Sequence, residues 1–318
     1  MLRRFSLLFL PTVLLLALAP AGASAALRVG ISDSSPTMFS DPLFAPLQIK
    51  TTRLMVSWNA LSKPGDDEQV RIAQYIDAAT AKGIDVLVSF EHARGAAASC
   101  KKKNARRLPQ CKLPSVNKYT KQFVKFHKRF PQITAFSPWN EINHQSQPTY
   151  KNPKRAAQFT NAVRKKCIGC TIVVADILDQ ADSAKRKRAT FKSTAKYIKK
   201  FKRHLKGPRK LCGIHNYSDT NRFRMAGTKA LIKALGCKQY WLTETGGIVK
   251  FAGFKYSTRR QQKATKYMFK IARKFKRIKR MYIHNYFGVG RTQRFDAGLT
   301  FNGKARPAYR EVKKFTTR

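Results

Sequence analysis

The chain has 318 residues, 43% of them hydrophobic, with 65 lysines and arginines against 16 aspartates and glutamates and a formal net charge of +49. That length suits one domain with a large core, and that charge predicts a cationic surface drawing acidic cell-wall polymers or uronate-bearing polysaccharides, unless it only reflects adaptation to habitat or host. The basic residues are spread over most of the chain and form neither an arm nor a nucleic-acid motif, which excludes specific nucleic-acid recognition as the function.

Residues 1–25 carry Arg3 and Arg4, an apolar run over 5–19, and Ala23-Ser24-Ala25 ahead of Ala26. This is the pattern of a secretory signal with an A-x-A cleavage site. The run is short of the ~20 residues that span a bilayer, and no second span follows. The mature chain, 26–318, is therefore expected outside the cell or on its wall, without a membrane span.

From Ala26 onward, apolar β-prone runs alternate with longer segments of helical period. The runs fall at 27–33, 51–59, 84–92, 133–143, 171–179, 210–219, 239–247 and 280–288. Their number and the intervening helices predict an α/β chain folded as a single (β/α)8 TIM barrel, whose usual size is about 250 residues. Segment 66–83 places Ile72, Ile76 and Ala79 on one face and closes on Gly83. Segment 115–130 begins with Ser115 as N-cap and lines up Val116, Tyr119, Phe123, Phe126 and Phe130 as a core stripe. A further helix opens at Asn152-Pro153. The long basic loop 95–114 reads as an excursion above the third strand, walling one side of a cleft. No internal repeat, linker or second domain is visible.

Six cysteines in an exported chain read as disulfides. Neighbourhood suggests Cys100 with Cys111, Cys167 with Cys170, and Cys212 with Cys237, among the ~15 connectivities possible. Cys167-Ile168-Gly169-Cys170 would also suit a redox or zinc half-site, but no second pair of zinc-like spacing accompanies it.

The chain owns only five glutamates, and two of them close apolar runs: Glu141 within Ser-Pro-Trp-Asn-Glu-Ile-Asn (137–143) and Glu244 within Tyr-Trp-Leu-Thr-Glu-Thr-Gly (240–246). Catalytic side chains of a parallel barrel converge at such strand ends. A pair of carboxylates there suits hydrolysis of a glycosidic bond, which needs one proton donor and one nucleophile or base. Beside so many cations, a plain ion-pair role is the competing reading.

Strand alternation gives Trp139 the parity of Glu141, so Trp139 is expected to line the mouth, with Asn140 at the strand end. Trp241, three residues before Glu244, is expected to face the helices as core. His215 and His92 are expected to line the site. Glu91 reads as a substrate binder, an auxiliary carboxylate or an ion-pair partner, and His144 touches either the substrate or only its own loop. No histidine set has metal-ligand spacing and no glycine-rich loop follows a strand, so neither a metal nor a cofactor is expected.

Together these residues resemble glycoside hydrolases of clan A, particularly families 5 and 39 and their relatives. There an Asn-Glu pair ends the fourth strand, its glutamate being the acid/base, and a second glutamate ends the seventh as nucleophile; Asn140-Glu141 and Thr243-Glu244 match both. Arg53, in Arg-Leu-Met-Val-Ser-Trp (53–58), looks like the family 5 arginine that contacts the nucleophile. His215-Asn216-Tyr217 is similar to the clan's His-x-Tyr, which implies that Tyr217 donates to the nucleophilic carboxylate. Residues 298–309 look like the common ending of such barrels. The chain departs from family 5 in having Glu91-His92 where two histidines are frequent, and His284, Asn285 and Tyr286 where an aromatic ends strand eight, Tyr286 being the candidate sugar platform.

The resemblance implies a retaining mechanism, with Asn140 bonding the sugar 2-hydroxyl. The expected partner is a poly- or oligosaccharide, anionic ones included, and the protein is expected to act as a monomer. The alternative reading is a non-catalytic or adhesive basic barrel that binds an anionic wall polymer, for which salt-sensitive binding without turnover is the sign.

Overall fold

The computed structural model describes residues 27–95, 99–182 and 189–317, so the expected signal segment lies outside it. The barrel strands are β1 Arg28–Ser32, β2 Thr51–Ser57, β3 Asp85–Glu91, β4 Ala135–Ser137, β5 in two pieces at Thr171–Ile172 and Asp176–Leu178, β6 Leu211–His215, β7 Gln239–Thr245 and β8 Ile278–His284. All pair in parallel: β1 with β2 and β8, β3 with β2 and β4, β7 with β6 and β8. The two pieces of β5 close the ring, the first on β4 and the second on β6. Between them the N–H groups of Val173 and Val174 donate to the Phe136 and Leu211 carbonyls. The fold is thus the (β/α)8 barrel that the alternation predicts.

The helices are α1 Asp67–Ala81, α2 Val116–Arg129, α3 Pro153–Lys166, α4 Lys192–His204, the short α5 Tyr217–Asn221, α6 Ala226–Leu235, α7 Thr258–Lys274 and α8 Pro307–Thr316. Their starts follow from local chemistry. The side chains of Asp66, Ser115, Asn152 and Ser257 accept from backbone N–H groups in the first turns of α1, α2, α3 and α7, satisfying donors that the helix itself leaves unpaired. Between β1 and β2 no α-helix forms. Pro36, Pro42 and Pro46 withhold the backbone donors an α-helix needs, and that connection is made by 3-10 turns at Pro36–Ser40 and Ala45–Leu47.

One apolar core lies between sheet and helices, where Phe90, Tyr119, Phe123, Phe126 and Phe136 pack edge to face or stacked. A second fills the lower barrel interior with Leu87, Val173, Leu211, Trp241 and Tyr282. Trp241 is core, but it faces inward, with the Arg280 guanidinium 4.2 Å from its ring centroid. The expected outward orientation fails because β7 carries a bulge: Gly213 pairs with Trp241 and His215 with Glu244, so β6 advances two residues while β7 advances three. The extra residue puts Trp241, Thr243 and Glu244 all inside.

The cysteines pair as their neighbourhoods suggest, Cys100–Cys111, Cys167–Cys170 and Cys212–Cys237. The first staples the loop above β3, where Cys100 also donates its N–H to the Gln145 carbonyl. Among the described residues no helix is long and apolar enough to cross a membrane. Of the sixteen carboxylate residues seven are buried and only Asp67, Asp77, Asp85 and Asp182 are exposed, so much of the chain's negative charge is withdrawn from a cationic exterior.

Candidate active site

A buried polar layer sits above the apolar floor. Arg53, on β2, has no exposed surface. Its Nη1 donates to Ser32 Oγ (3.1 Å) and Glu244 Oε2 (2.7 Å), and its Nη2 to Ser89 Oγ (3.1 Å), Asn140 Oδ1 (2.8 Å) and Asp176 Oδ2 (3.4 Å). A guanidinium is suited to this, presenting a planar fork of donors in fixed directions. Asp176 also accepts from Ser89 (3.0 Å), Ser137 (2.7 Å) and Thr243 (2.7 Å). Burial opposes its charge, but His215, Arg53 and Thr243 hold its carboxyl well below the usual range. The layer needs a glycine at 213, because a Cβ there would stand 2.0 Å from Asp176 Oδ1.

Glu244 ends β7 at the top of this layer. Tyr217 donates its hydroxyl to Glu244 Oε1 at 2.9 Å, opposite the Arg53 bond to Oε2. Burial pushes the Glu244 carboxyl up, yet His284, His215, Arg53 and Tyr217 outweigh it and bring the value down to about 2. Glu244 is thus an ionised carboxylate under ordinary conditions, with both oxygens held. Tyr217 itself begins α5, whose first N–H groups, from Ser218 and Asp219, donate to Asp179 at 3.0 and 2.7 Å. The end of β5 thereby fixes the tyrosine's position.

Glu141 faces Glu244 from beyond β4. Its backbone is left-handed, φ 39°, a conformation that costs a non-glycine residue on the order of 1 kcal/mol and is stored mainly where function requires it. Its Oε1 lies 3.1 Å from His215 Nδ1 and its Oε2 3.4 Å from His144 Nδ1. Buried His215 points its Nε2 at Asp176, 3.8 Å away. Burial disfavours the imidazolium, but Glu244, Asp176 and Glu141 raise its pKa to about 9. One oxygen each of Glu141 and Glu244 and one His215 nitrogen lie within 4.8 Å of one another. Three such atoms form a set of the kind that converges on a cation. With its pKa raised to about 9, His215 is a poor ligand, because a protonated imidazole nitrogen offers no lone pair.

Trp139 is not in the mouth. Regular pairing of β4 ends at Ser137, and Asn140, whose N–H donates to Phe90 O at 2.6 Å, takes the inward position. Trp139 is pushed between the helices, stacked on Phe159 with centroids 4.8 Å apart, beside Tyr119, its Nε1 donating to Gln147. Tyr286 is also misassigned. It is fully buried behind the barrel, donating to Asp41 Oδ1 and packed on Phe44 and Phe287, because its N–H and that of Phe287 are anchored on Asp33. Half-buried His284 takes the strand-eight position, its Nδ1 bonded to Ser32 O.

An aromatic wall that sequence reasoning missed completes the mouth. Phe295 lies 6.0 Å from Tyr217, 5.9 Å from His284 and 5.5 Å from Phe251 by ring centroids, and a small ribbon, Lys250–Phe251 against Phe295–Asp296, carries it. On the other side Glu91 and His92 end β3, 3.9 Å apart. Burial raises the Glu91 carboxyl, only partly offset by His92 and Arg53. Beside them opens a cavity of about 300 Å³, lined also by Ser57, Glu68, Arg71 and Arg94.

No family model and no curated protein matches the sequence. The fold, however, matches solved glycoside hydrolases. GH5_18 from Streptomyces cattleya, solved with GlcNAc, aligns over 92–93% of this chain in its two structures; for the GlcNAc complex the coverage is 93% of this chain and 81% of that one, with TM-score 0.62 and 15% identity. A family 39 glycoside hydrolase from Bacteroides cellulosilyticus WH2 aligns over 92% of this chain and 64% of its own, with TM-score 0.57 and 14% identity. Xylanase B from Clostridium stercorarium F9 aligns over 90% and 96%, with TM-score 0.61 and 12% identity. At these identities the likeness is one of fold.

Proposed function

We propose that the protein is an exported retaining β-glycoside hydrolase acting on a poly- or oligosaccharide, with Glu244 as nucleophile and Glu141 as acid/base. The observation that carries this reading is the approach of the two carboxylates, with oxygens within 4.8 Å across one pocket at the ends of β4 and β7. Retaining enzymes hold their carboxyl groups about 5–5.5 Å apart, whereas inverting ones leave about 6.5–9.5 Å for a water. The fold shared with glycoside hydrolases of several families adds support.

The chemistry follows from the surroundings of each group. Glu244, held ionised by Arg53 and Tyr217, attacks the anomeric carbon while Glu141 protonates the leaving oxygen. Glu141 then takes a proton from the water that cleaves the glycosyl ester. Asn140, with its Oδ1 committed to Arg53, keeps its amide donors for the substrate. Phe295 and His284 offer ring faces to the sugar, and Glu91 and His92 its polar contacts. The cationic exterior favours anionic polymers among the substrates.

The test is product analysis on aryl β-glycosides and a polysaccharide panel that includes acidic polymers, comparing wild type with Glu244→Gln. A fluorinated mechanism-based sugar inhibitor should label Glu244. Labelling elsewhere overturns the assignment of roles, and salt-sensitive binding without any turnover establishes the adhesive alternative instead.

A further inference from the structure

We propose that the groove between α3 and α4, on the outer helical wall, is an anion-binding exosite that holds a carboxylate- or sulfate-bearing polysaccharide. The groove has a volume of about 280 Å³ and is lined by Lys154, Gln158, Asn161, Arg203, His204 and Lys206. Its floor is fixed. Asn161 donates its amide to the His204 carbonyl at 2.9 Å and accepts from the Lys206 N–H at 2.8 Å, while Arg164 donates to the Lys206 and Pro208 carbonyls. The two helices are thus clipped together under the cationic side chains.

Among the described residues no carboxylate lines the groove. Neither α3 nor α4 contains an aspartate or glutamate. Among the described residues Lys154, Arg203 and Lys206 make no ion pair, in contrast to Arg94 with Asp66 or Lys266 with Glu311. Cations held close together without carboxylates keep mobile counterions beside them, and a polyanion gains affinity by releasing those ions. With the Gln158 oxygen held by Arg155 at 3.1 Å, its amide N–H groups suit the hydroxyls that separate the charges of an acidic glycan. A nucleic acid is the poorer fit, because the groove offers no Phe, Tyr or Trp on which a base would stack.

Binding, not turnover, tests this, so the outcome is independent of whether Glu244 cleaves a glycoside. Affinity for polygalacturonate, dextran sulfate, neutral dextran and single-stranded DNA is measured at about 0.15 M salt. The groove variant Lys154→Gln/Arg203→Gln/Lys206→Gln is compared with Lys118→Gln/Lys121→Gln/Lys128→Gln, which removes equal charge from exposed positions of α2. The groove variant should lose about tenfold or more in affinity for an acidic glycan, and the α2 variant no more than about twofold. Loss on polygalacturonate assigns carboxylate recognition and loss on dextran sulfate assigns sulfate recognition. Equal losses in the two variants, or an equal loss for DNA, overturn the proposal, leaving only a diffuse field. The single substitutions Lys154→Gln and Arg203→Gln give the same comparison should the triple variant unfold.

Discussion

His215→Gln probes the centre of the charge network. Buried His215 stands between Glu141, Asp176 and Glu244, which together raise its pKa to about 9 against burial. Relative to an ordinary value of about 6.5, that shift corresponds to roughly 3 kcal/mol of stability. The sign follows from the native state's preference for the proton: the contribution is complete below about pH 6.5, declines as pH rises through about 9, and is absent above. At 3.8 Å the Nε2 contact with Asp176 is too long for a hydrogen bond, so that partner acts by charge attraction and 3 kcal/mol is an upper figure. Glutamine keeps an amide donor without a titrating proton. Urea unfolding followed from pH 6 to 10 should show wild type losing about 3 kcal/mol more than the variant across this window, or ~6–12 °C in melting temperature. A difference between the two proteins that does not vary with pH would mean that His215 is neutral in the folded state, and would refute the reasoning.

Three further outcomes are expected. Arg53→Met strands Asp176 and Glu244 without their guanidinium and should destabilise the fold by about 3–5 kcal/mol; denaturant midpoints within error of wild type would contradict this. Trp139→Ala should cost about 3–5 kcal/mol of stability through lost packing on Phe159 and Tyr119, with KM of the folded enzyme unchanged, whereas a raised KM at full stability would return Trp139 to the sugar site. Phe295→Ala should raise KM about tenfold while leaving kcat and the unfolding midpoint nearly unaltered; an unchanged KM would remove this ring from the substrate wall.

What the sequence disclosed was governed by period and by strand ends. Eight apolar runs sufficed for the barrel, and Glu141, Glu244, Arg53, Asn140, His215 and Tyr217 do meet at one mouth because each lies on or just beyond a strand. Strict two-residue alternation, by contrast, misplaced Trp139 and Trp241, since β4 stops pairing at Ser137 and β7 contains a bulge. The bulge has no local signature, whereas Pro138, which has no N–H to give the ladder, marks the point where β4 stops pairing. Tyr286 went astray because Asp33, far away in the chain, captures its backbone. The polar layer was partly readable: Asp176, the charged residue in the apolar stretch of β5, had to be paired if buried. Ser89, Ser137 and Thr243 gave no comparable sign, and Phe295 reaches the site only through a ribbon whose pairing partner is distant in sequence.

The bulge in β7 has a consequence for recognising this protein's relatives. Because Thr243 and Glu244 both turn inward, one donating to Asp176 and the other held by Arg53 and Tyr217, the distance from the floor tryptophan to Glu244 is an odd number of residues. A search template that assumes plain pleating discards such chains. Deleting a single residue between Trp241 and Glu244 would restore simple pleating with both of these side chains still inside and would turn the residue between them out among the helices, so the inward hydroxyl of Thr243 on Asp176 exists only because this short segment carries one residue more than its neighbour.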